Sequence, residues 1–492
     1  MTNLSPPNSF LGLPGDILIH ILHEFLLVKD LSALSRTSRF LNALVNEFGW
    51  AGYQRQNPRP SMSLAKSRMQ AWTPMSRVKY DVLTDESWAQ SEFIARPLSG
   101  PWSGKEQPRM AINASRLIVA AGTTIYSYTF GISTTNDDAP PVVLEGSCLL
   151  ARTNRDRANF ITALAFIPDG GLDHTLCVGF QDGTRERIVL MGRSKRQTTA
   201  TLRVQRSPER PLHLPPKDFI ESLSSSRDSL LSLSASGRAT LETNSYSSSV
   251  DLQARSWVSH LSMESASPFA AFGTSSATPL TIHAITNDQL APLPSAVLSQ
   301  ADSGTAGSAV YGICKGPPSS PWGSSPQVVV SGWYDGTVSI HDLRSSSRCS
   351  AVPHASADSP APLRPVLNLV NSWSVEPIYS VSCGGGGGSH VAAGTARHSL
   401  LSLWDVRSPA RGFSVHAPLN DPSPVYAVIL ESSRLFGVTQ SRPFVLDFGP
   451  GVAQNTYPDL GPSSRGFAHL NQKGVDGFGY YVTKYQHRPR GV

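Results

Sequence analysis

The chain has 492 residues, 40 per cent of them apolar and only 16 per cent charged, which excludes a chain kept disordered by its charge. The 39 Gly and 38 Pro break it too often for long helices, and its net charge of +6 suits an anionic partner only if the surplus is gathered on one face. Five cysteines without a CxxC pair exclude a zinc ribbon and signal no disulfide framework, so a reducing compartment, cytoplasmic or nuclear, is expected.

From Leu13 the apolar residues recur with helical period. Pro14 suits a first helical turn, and Ile17, Leu18, Ile21, Leu22, Phe25 and Leu26 form a stripe. Asp30 is placed to cap a second helix carrying Leu31 and Leu34, and Ser38 a third carrying Leu41, Leu44, Val45 and Phe48. The apolar stretch Ile17 to Val28 is too short to span a bilayer and is interrupted by His20, His23 and Glu24. Three short helices cannot enclose so many apolar residues, so some must face a partner. The pattern LPxDIL…IL…DL..LS…R.LN.L….W over Asn8 to Tyr53 resembles the F-box, with Asp16 where that family more often has Glu. The resemblance implies docking on a Skp-type adaptor through Leu13, Pro14, Ile17, Leu18, Ile21, Leu22, Leu31, Leu34 and Trp50, and through the adaptor to a cullin.

Residues 54–108, with Trp72, Trp88 and Trp102, read as a connector packed against the larger C-terminal part of the chain. From Arg109 the chain repeats itself. VVVSGWYDGTVSIHDLRS from Val328 aligns without a gap on VAAGTARHSLLSLWDVRS from Val391, and each comes after a short strand, Val310 to Cys314 and Ile378 to Ser382. Val425 to Ile429 supplies a third copy. The same template gives units at Arg109 to Phe130, Ile161 to Leu190, Phe219 to Glu242, Trp257 to Ile285, Gly307 to Arg344, Glu376 to Arg407 and Ser423 to Phe448. No unit can close its own apolar faces, so seven four-stranded blades in a ring are expected. Trp404-Asp405 and the Asp182-Gly183 and Asp335-Gly336 turns resemble WD repeats, although Gly-His dipeptides are missing. The stretches at residues 131–159, 287–308, 315–327 and 345–372 read as inserts, and residues 449–492 as a tail that could help close the ring. The fold class is therefore mainly β: an F-box module (8–53), a connector (54–108), a seven-bladed WD-type β-propeller (109–448) and the tail.

The chemistry-bearing patterns are missing: no HExxH, no GxSxG, and no Gly-rich loop with Lys-Ser or Lys-Thr after it. Gly384 to Gly388 read as a flexible loop, the serines of Ser222 to Ser236 as strand and turn filler, and the basic run Arg185 to Arg210 as a solvated loop or strand edge. No catalytic residue, cofactor or metal is expected, and a nucleic acid or membrane partner is not indicated. Arg185, Arg238, Arg397 and Arg442 fall in or beside turns between second and third strands, with Trp333 and Tyr334 beside that of the fifth unit. Arginines gathered there would bind an acidic or phosphorylated protein segment. Together the two resemblances imply a non-catalytic substrate receptor of a Skp, cullin and F-box ubiquitin ligase; the alternative is an interaction scaffold without ubiquitin transfer.

Overall fold

The computed structural model describes residues 13–133, 138–150, 159–193, 201–300, 308–349, 361–419, 421–460, 479–480 and 482–487. Residues 8–12 of the expected F-box, and Lys195 and Arg196 of the basic run, lie outside them.

Six helices come first: α1 (Gly15–Glu24), α2 (Val28–Ser35), α3 (Arg39–Leu44), α4 (Trp50–Gln56), α5 (Ala65–Gln70) and α6 (Pro74–Gln90). Ser38 caps α3, its hydroxyl accepting from the Leu41 N–H at 3.2 Å. Asp30 sits inside α2 instead of at its cap, and its carboxylate reaches back to the Leu27 N–H at 3.0 Å. The third helix does not stop after α3: a π-helical turn, Val45–Gly49, carries it on into α4. Leu22, Leu31, Val45 and Trp50 form a small core, and Val78 of α6 completes it. Three helices bury too little by themselves, which is why a long helix from the connector joins them.

The remainder is a ring of antiparallel strands. Its innermost strands are Arg109–Ile112, Ile161–Phe166, Ile220–Ser226, Arg255–Ser262, Ser308–Lys315, Ile378–Gly384 and Val425–Leu430, and each neighbours the next in a closed cycle. Five units stand as separate sheets, four of four strands and one of five; the fourth and fifth units share a nine-stranded sheet through Ser275↔Ala309 and Ser276↔Ser308. The expectation of seven separate four-stranded blades is corrected to that extent. Outer strands also run through stretches expected to be inserts or solvated loop: Val142–Leu149, Leu202–Pro208 and Leu367–Val370. Their apolar alternation is weak because their outer face meets water.

Successive inner strands share few backbone hydrogen bonds, and side chains take over that role. Ser222, Ser224 and Ser226 alternate along the third inner strand, and their hydroxyls accept from the Ser259, Leu261 and Met263 N–H groups of the fourth at 3.1, 3.0 and 3.2 Å. The serine-rich stretch is thus a stitch between neighbouring units.

The ring is closed from the connector. Ile94–Pro97 pairs with Pro443–Asp447, from Ile94↔Asp447 to Pro97↔Phe444. Of the tail's described residues, Tyr480 donates its N–H to the Ala95 carbonyl of the closing strand at 3.0 Å, and the strand Lys484–Gln486 lies on Phe413–His416 as the fifth strand of the sixth unit. Behind the closing strand Arg434, fully buried, donates from Nε to Asp447 at 3.0 Å, and the Tyr457 hydroxyl donates to the same carboxylate.

Helix α6 fastens the helical module to one end of the ring. Trp88 stacks on Phe448 with ring centroids 3.6 Å apart and donates from its indole N–H to the Ser432 carbonyl at 3.0 Å. The Tyr80 hydroxyl donates to Ser433 at 3.0 Å, and the buried Glu431 carboxylate accepts the Met62 and Ser63 N–H groups. The glycines expected to be a flexible loop form the turn beneath Trp88. Gly385 has φ +66°, and a Cβ there would lie 3.0 Å from the Trp88 ring and 2.9 Å from the His390 Cβ. Gly385→Ala is therefore expected to lower stability by about 1–3 kcal/mol, from left-handed strain plus overpacking, as read by the denaturation midpoint. An unchanged midpoint would show that the turn can shift away from the helix.

Candidate functional site

The stripe of α1 is divided between two faces. Leu18 and Leu22 are buried, as are Leu31 and Trp50, so these four belong to the module's interior and not to a docking surface. An apolar pattern repeating as adjacent pairs covers too wide an arc of a helix for every member to face the same way. Leu13 and Pro14 are exposed, Ile21 and Leu34 half-buried. Ile17 is 43 per cent exposed, Phe25 69 per cent and Leu27 67 per cent. Leu13, Ile17, Ile21 and Phe25 recur every four residues, leaving one outward apolar line, with Phe40 of α3 exposed as well.

The arginine turns do lie at one end of the ring, the end opposite α6, because each sits beside the start of an inner strand; Ile378↔Thr395 and Val425↔Thr439 set that register. Their side chains differ in availability. Arg185 is buried between the second and third units, donating from Nη2 to Glu242 at 2.9 Å and from Nη1 to the Ser232 hydroxyl at 3.0 Å. It is an internal clamp and not a ligand contact. Two more members of its run are paired: Arg187 with Glu209 and Arg206 with Glu186, both at 2.8 Å. Arg442 is half-buried, and burial lowers its pKa despite the nearby Asp421 carboxylate. Arg238 and Arg397 are exposed, with the Arg397 backbone N–H held by Glu376 at 2.9 Å. Trp333 is buried, its indole donating to Ser331 at 2.9 Å, whereas Tyr334 is 57 per cent exposed. Of the six expected binding residues, Arg238, Arg397 and Tyr334 remain exposed.

A second set of residues at this end was not foreseen. In six of the seven inner strands a register shift falls near the start, where one residue bulges: Thr162, Glu221, Trp257, Tyr311, Tyr379 and Tyr426. A bulge re-aims a side chain, and six around a ring place these residues at the mouth of the central channel. Four are aromatic and in sequence: Trp257–Tyr311, Tyr311–Tyr379 and Tyr379–Tyr426 have ring centroids 5.0, 5.5 and 5.8 Å apart. Tyr334 joins this arc at 6.3 Å from Tyr311. On the other side the Glu221 carboxylate accepts from Arg109 Nη2 at 2.9 Å and from Arg255 Nη2 at 2.6 Å. The Arg255 guanidinium lies 4.0 Å over the Trp257 ring. Burial raises the pKa of Tyr311 and Tyr426, with the neighbouring tyrosines adding to it, while Arg255 and Arg109 respectively pull the other way. The signal was in the sequence as the repeated pairs Val310-Tyr311, Ile378-Tyr379 and Val425-Tyr426.

No group of three or more potential metal ligands exists among the described residues, and none of their helices is long and apolar enough to cross a membrane. The five cysteines are free thiols. Buried histidines serve packing. His341, fully buried, donates from Nε2 to the Ser299 carbonyl at 2.6 Å, while Nδ1 has no partner among the described residues, and burial pushes its pKa down to about 4. An unfolded imidazole takes up that proton near pH 6.5. Stability is therefore full above pH 6.5 and falls as pH drops from there towards 4, and His260 and His487, also pushed down to about 4, act in the same direction. Urea midpoints at pH 7.5 and 5 should show this fall, and His341→Gln should reduce it; an equal loss in the variant would assign the effect to other groups.

No family model and no curated protein matches the chain. Among solved structures it is similar to the computationally designed Ika8 protein, with 15 per cent identity, a TM-score of 0.42, and coverage of 72 per cent of this chain and 99 per cent of that one. It is also similar to the WD40 β-propeller domain of Doa1, with 12 per cent identity, a TM-score of 0.44, and coverage of 75 and 100 per cent.

Proposed function

We propose that the chain is the substrate-recognition subunit of a Skp, cullin and F-box ubiquitin ligase, with α1 docking on the adaptor and the far end of the ring holding a protein substrate. In this reading the nine-stranded sheet counts as two blades, seven in all. The observation that carries it is the division of α1: the inner half is consumed by the module's own core, while Leu13, Ile17 and Phe25 stay exposed on a module braced rigidly by α6. A monomeric surface has no use for such a line unless a partner covers it. The docking face and the channel mouth lie at opposite ends of the ring, so adaptor and substrate can be held at once. The chain itself performs no covalent step; holding substrate lysines beside a recruited conjugating enzyme raises their effective concentration. The working compartment is the cytoplasm or nucleus.

The test is capture of purified adaptor and cullin by the full chain. Recovery of both supports the ligase subunit, and adaptor without cullin supports the scaffold. Recovery of neither overturns the F-box assignment.

A further inference from the structure

Cys314 and Cys383 are 69 positions apart in the chain, yet their sulfurs lie 3.6 Å apart, in van der Waals contact. Each is the penultimate residue of an inner strand, Ser308–Lys315 in the fifth unit and Ile378–Gly384 in the sixth. The two backbones run close together, since a Cβ built on Gly312 would lie 3.0 Å from the Ser380 Cα. Both cysteines are half-buried, at the margin of the apolar cluster that the two units share. Burial, then the hydrogen bond to Cys314 and the charge of a Cys314 thiolate, push the Cys383 thiol well above the usual range, while Lys315 pulls the other way. Cys383 thus keeps its proton and can donate it to Cys314. Cys177, by contrast, is buried, and burial pushes its thiol up to about 12, far from reactivity.

We propose that Cys314 and Cys383 form an oxidative modification site, at which a hydroperoxide oxidises Cys314 and Cys383 resolves the product into a disulfide joining the fifth and sixth units. In the first step the Cys314 thiolate attacks the peroxide: an S–O bond forms, the O–O bond breaks, and the departing hydroxide takes a proton to become water. The sulfur is oxidised to sulfenic acid and the peroxide is reduced. That product is neutral, so the charge that opposed ionisation of Cys383 is gone. In the second step the Cys383 sulfur attacks the Cys314 sulfur; the S–S bond forms, the S–O bond breaks, and hydroxide leaves with the Cys383 proton as a second water. A disulfide needs sulfurs about 2.05 Å apart, so the pair closes by roughly 1.5 Å, which χ1 rotation of two half-buried side chains covers. Two thiols are too few for a structural zinc site, which takes four ligands, and no third metal-binding side chain joins them among the described residues. Thiol reductants reverse the bond, which makes the join responsive to the oxidant supply of a reducing compartment. The bond falls two residues before Gly385, so it braces the part of the ring on which Trp88 and α6 sit.

The experiment is treatment of the reduced full chain with hydrogen peroxide, a catalase quench, and peptide mapping by mass without reduction. The expected result is one cross-linked peptide pair containing Cys314 and Cys383, lighter by two hydrogen atoms and restored by dithiothreitol, with a higher denaturation midpoint for the oxidised chain. Met69, 81 per cent exposed, serves as the internal gauge of peroxide exposure, since its sulfoxide is heavier by one oxygen. Cys383→Ser should lose the cross-link and accumulate a sulfenic acid on Cys314 that dimedone traps, whereas Cys314→Ser should give neither. Absence of the cross-link at peroxide levels that oxidise Met69, a cross-link to another cysteine or between chains, or an unchanged midpoint after oxidation would overturn the proposal. The measurements on the unsubstituted chain decide the matter even if a variant fails to fold.

Discussion

Replacing Ile17 and Phe25 together by Asp is expected to weaken adaptor capture at least hundredfold while leaving thermal unfolding unchanged. Both side chains are substantially exposed in the chain, so a carboxylate there stays in water and costs the fold little. In the complex each would be buried in an apolar contact at about 2–5 kcal/mol, and a hundredfold loss needs only about 2.8 kcal/mol. Leu18→Asp is the contrasting variant: Leu18 is 1 per cent exposed, so it should unfold the module as well as abolish capture. Undiminished capture by the double variant would defeat the assignment of α1 as the docking face.

The largest effect on stability is expected from Trp88→Ala, at about 3–5 kcal/mol. The indole stacks on Phe448, lies 4.3 Å from His390, covers the Gly385 turn and satisfies the Ser432 carbonyl, so its removal leaves a cavity and a lost hydrogen bond where α6 meets the ring. Thermal unfolding should divide, with the helices released below the ring's transition and α6 cut early by protease. One transition at the original temperature would mean that Tyr80 and Glu431 suffice to hold the module.

The order of β-units was legible because period-2 apolar strands and Asp-Gly turns are local signals. Asp182 and Asp335 accept the Thr184 and Thr337 N–H groups at 2.9 and 3.1 Å, as a tight turn requires. The closing strand Ile94–Pro97 was not legible, since it is short, contains Pro and Arg, and finds its partner only in the ring. Arg185 and Arg434 look like surface residues in sequence, and only tertiary contact with Glu242 and Asp447 makes them internal. At the candidate site the face was foreseen from the turns, but the bulges that turn Tyr311, Tyr379 and Tyr426 towards the channel depend on strand register, which spacing alone does not reveal.

The pairing of Ile94–Pro97 with Pro443–Asp447 sets a timetable for the newborn chain. The closing strand leaves the ribosome about 350 residues ahead of its partner, which at about 5–20 residues per second is a wait of roughly 20–70 s. Throughout that interval the helices preceding it are already synthesised, while the ring remains an open arc with unpaired edges. On the proposed reading, the module that would dock the adaptor is thus complete before the ring that would hold a substrate can close, and translation itself orders the two events.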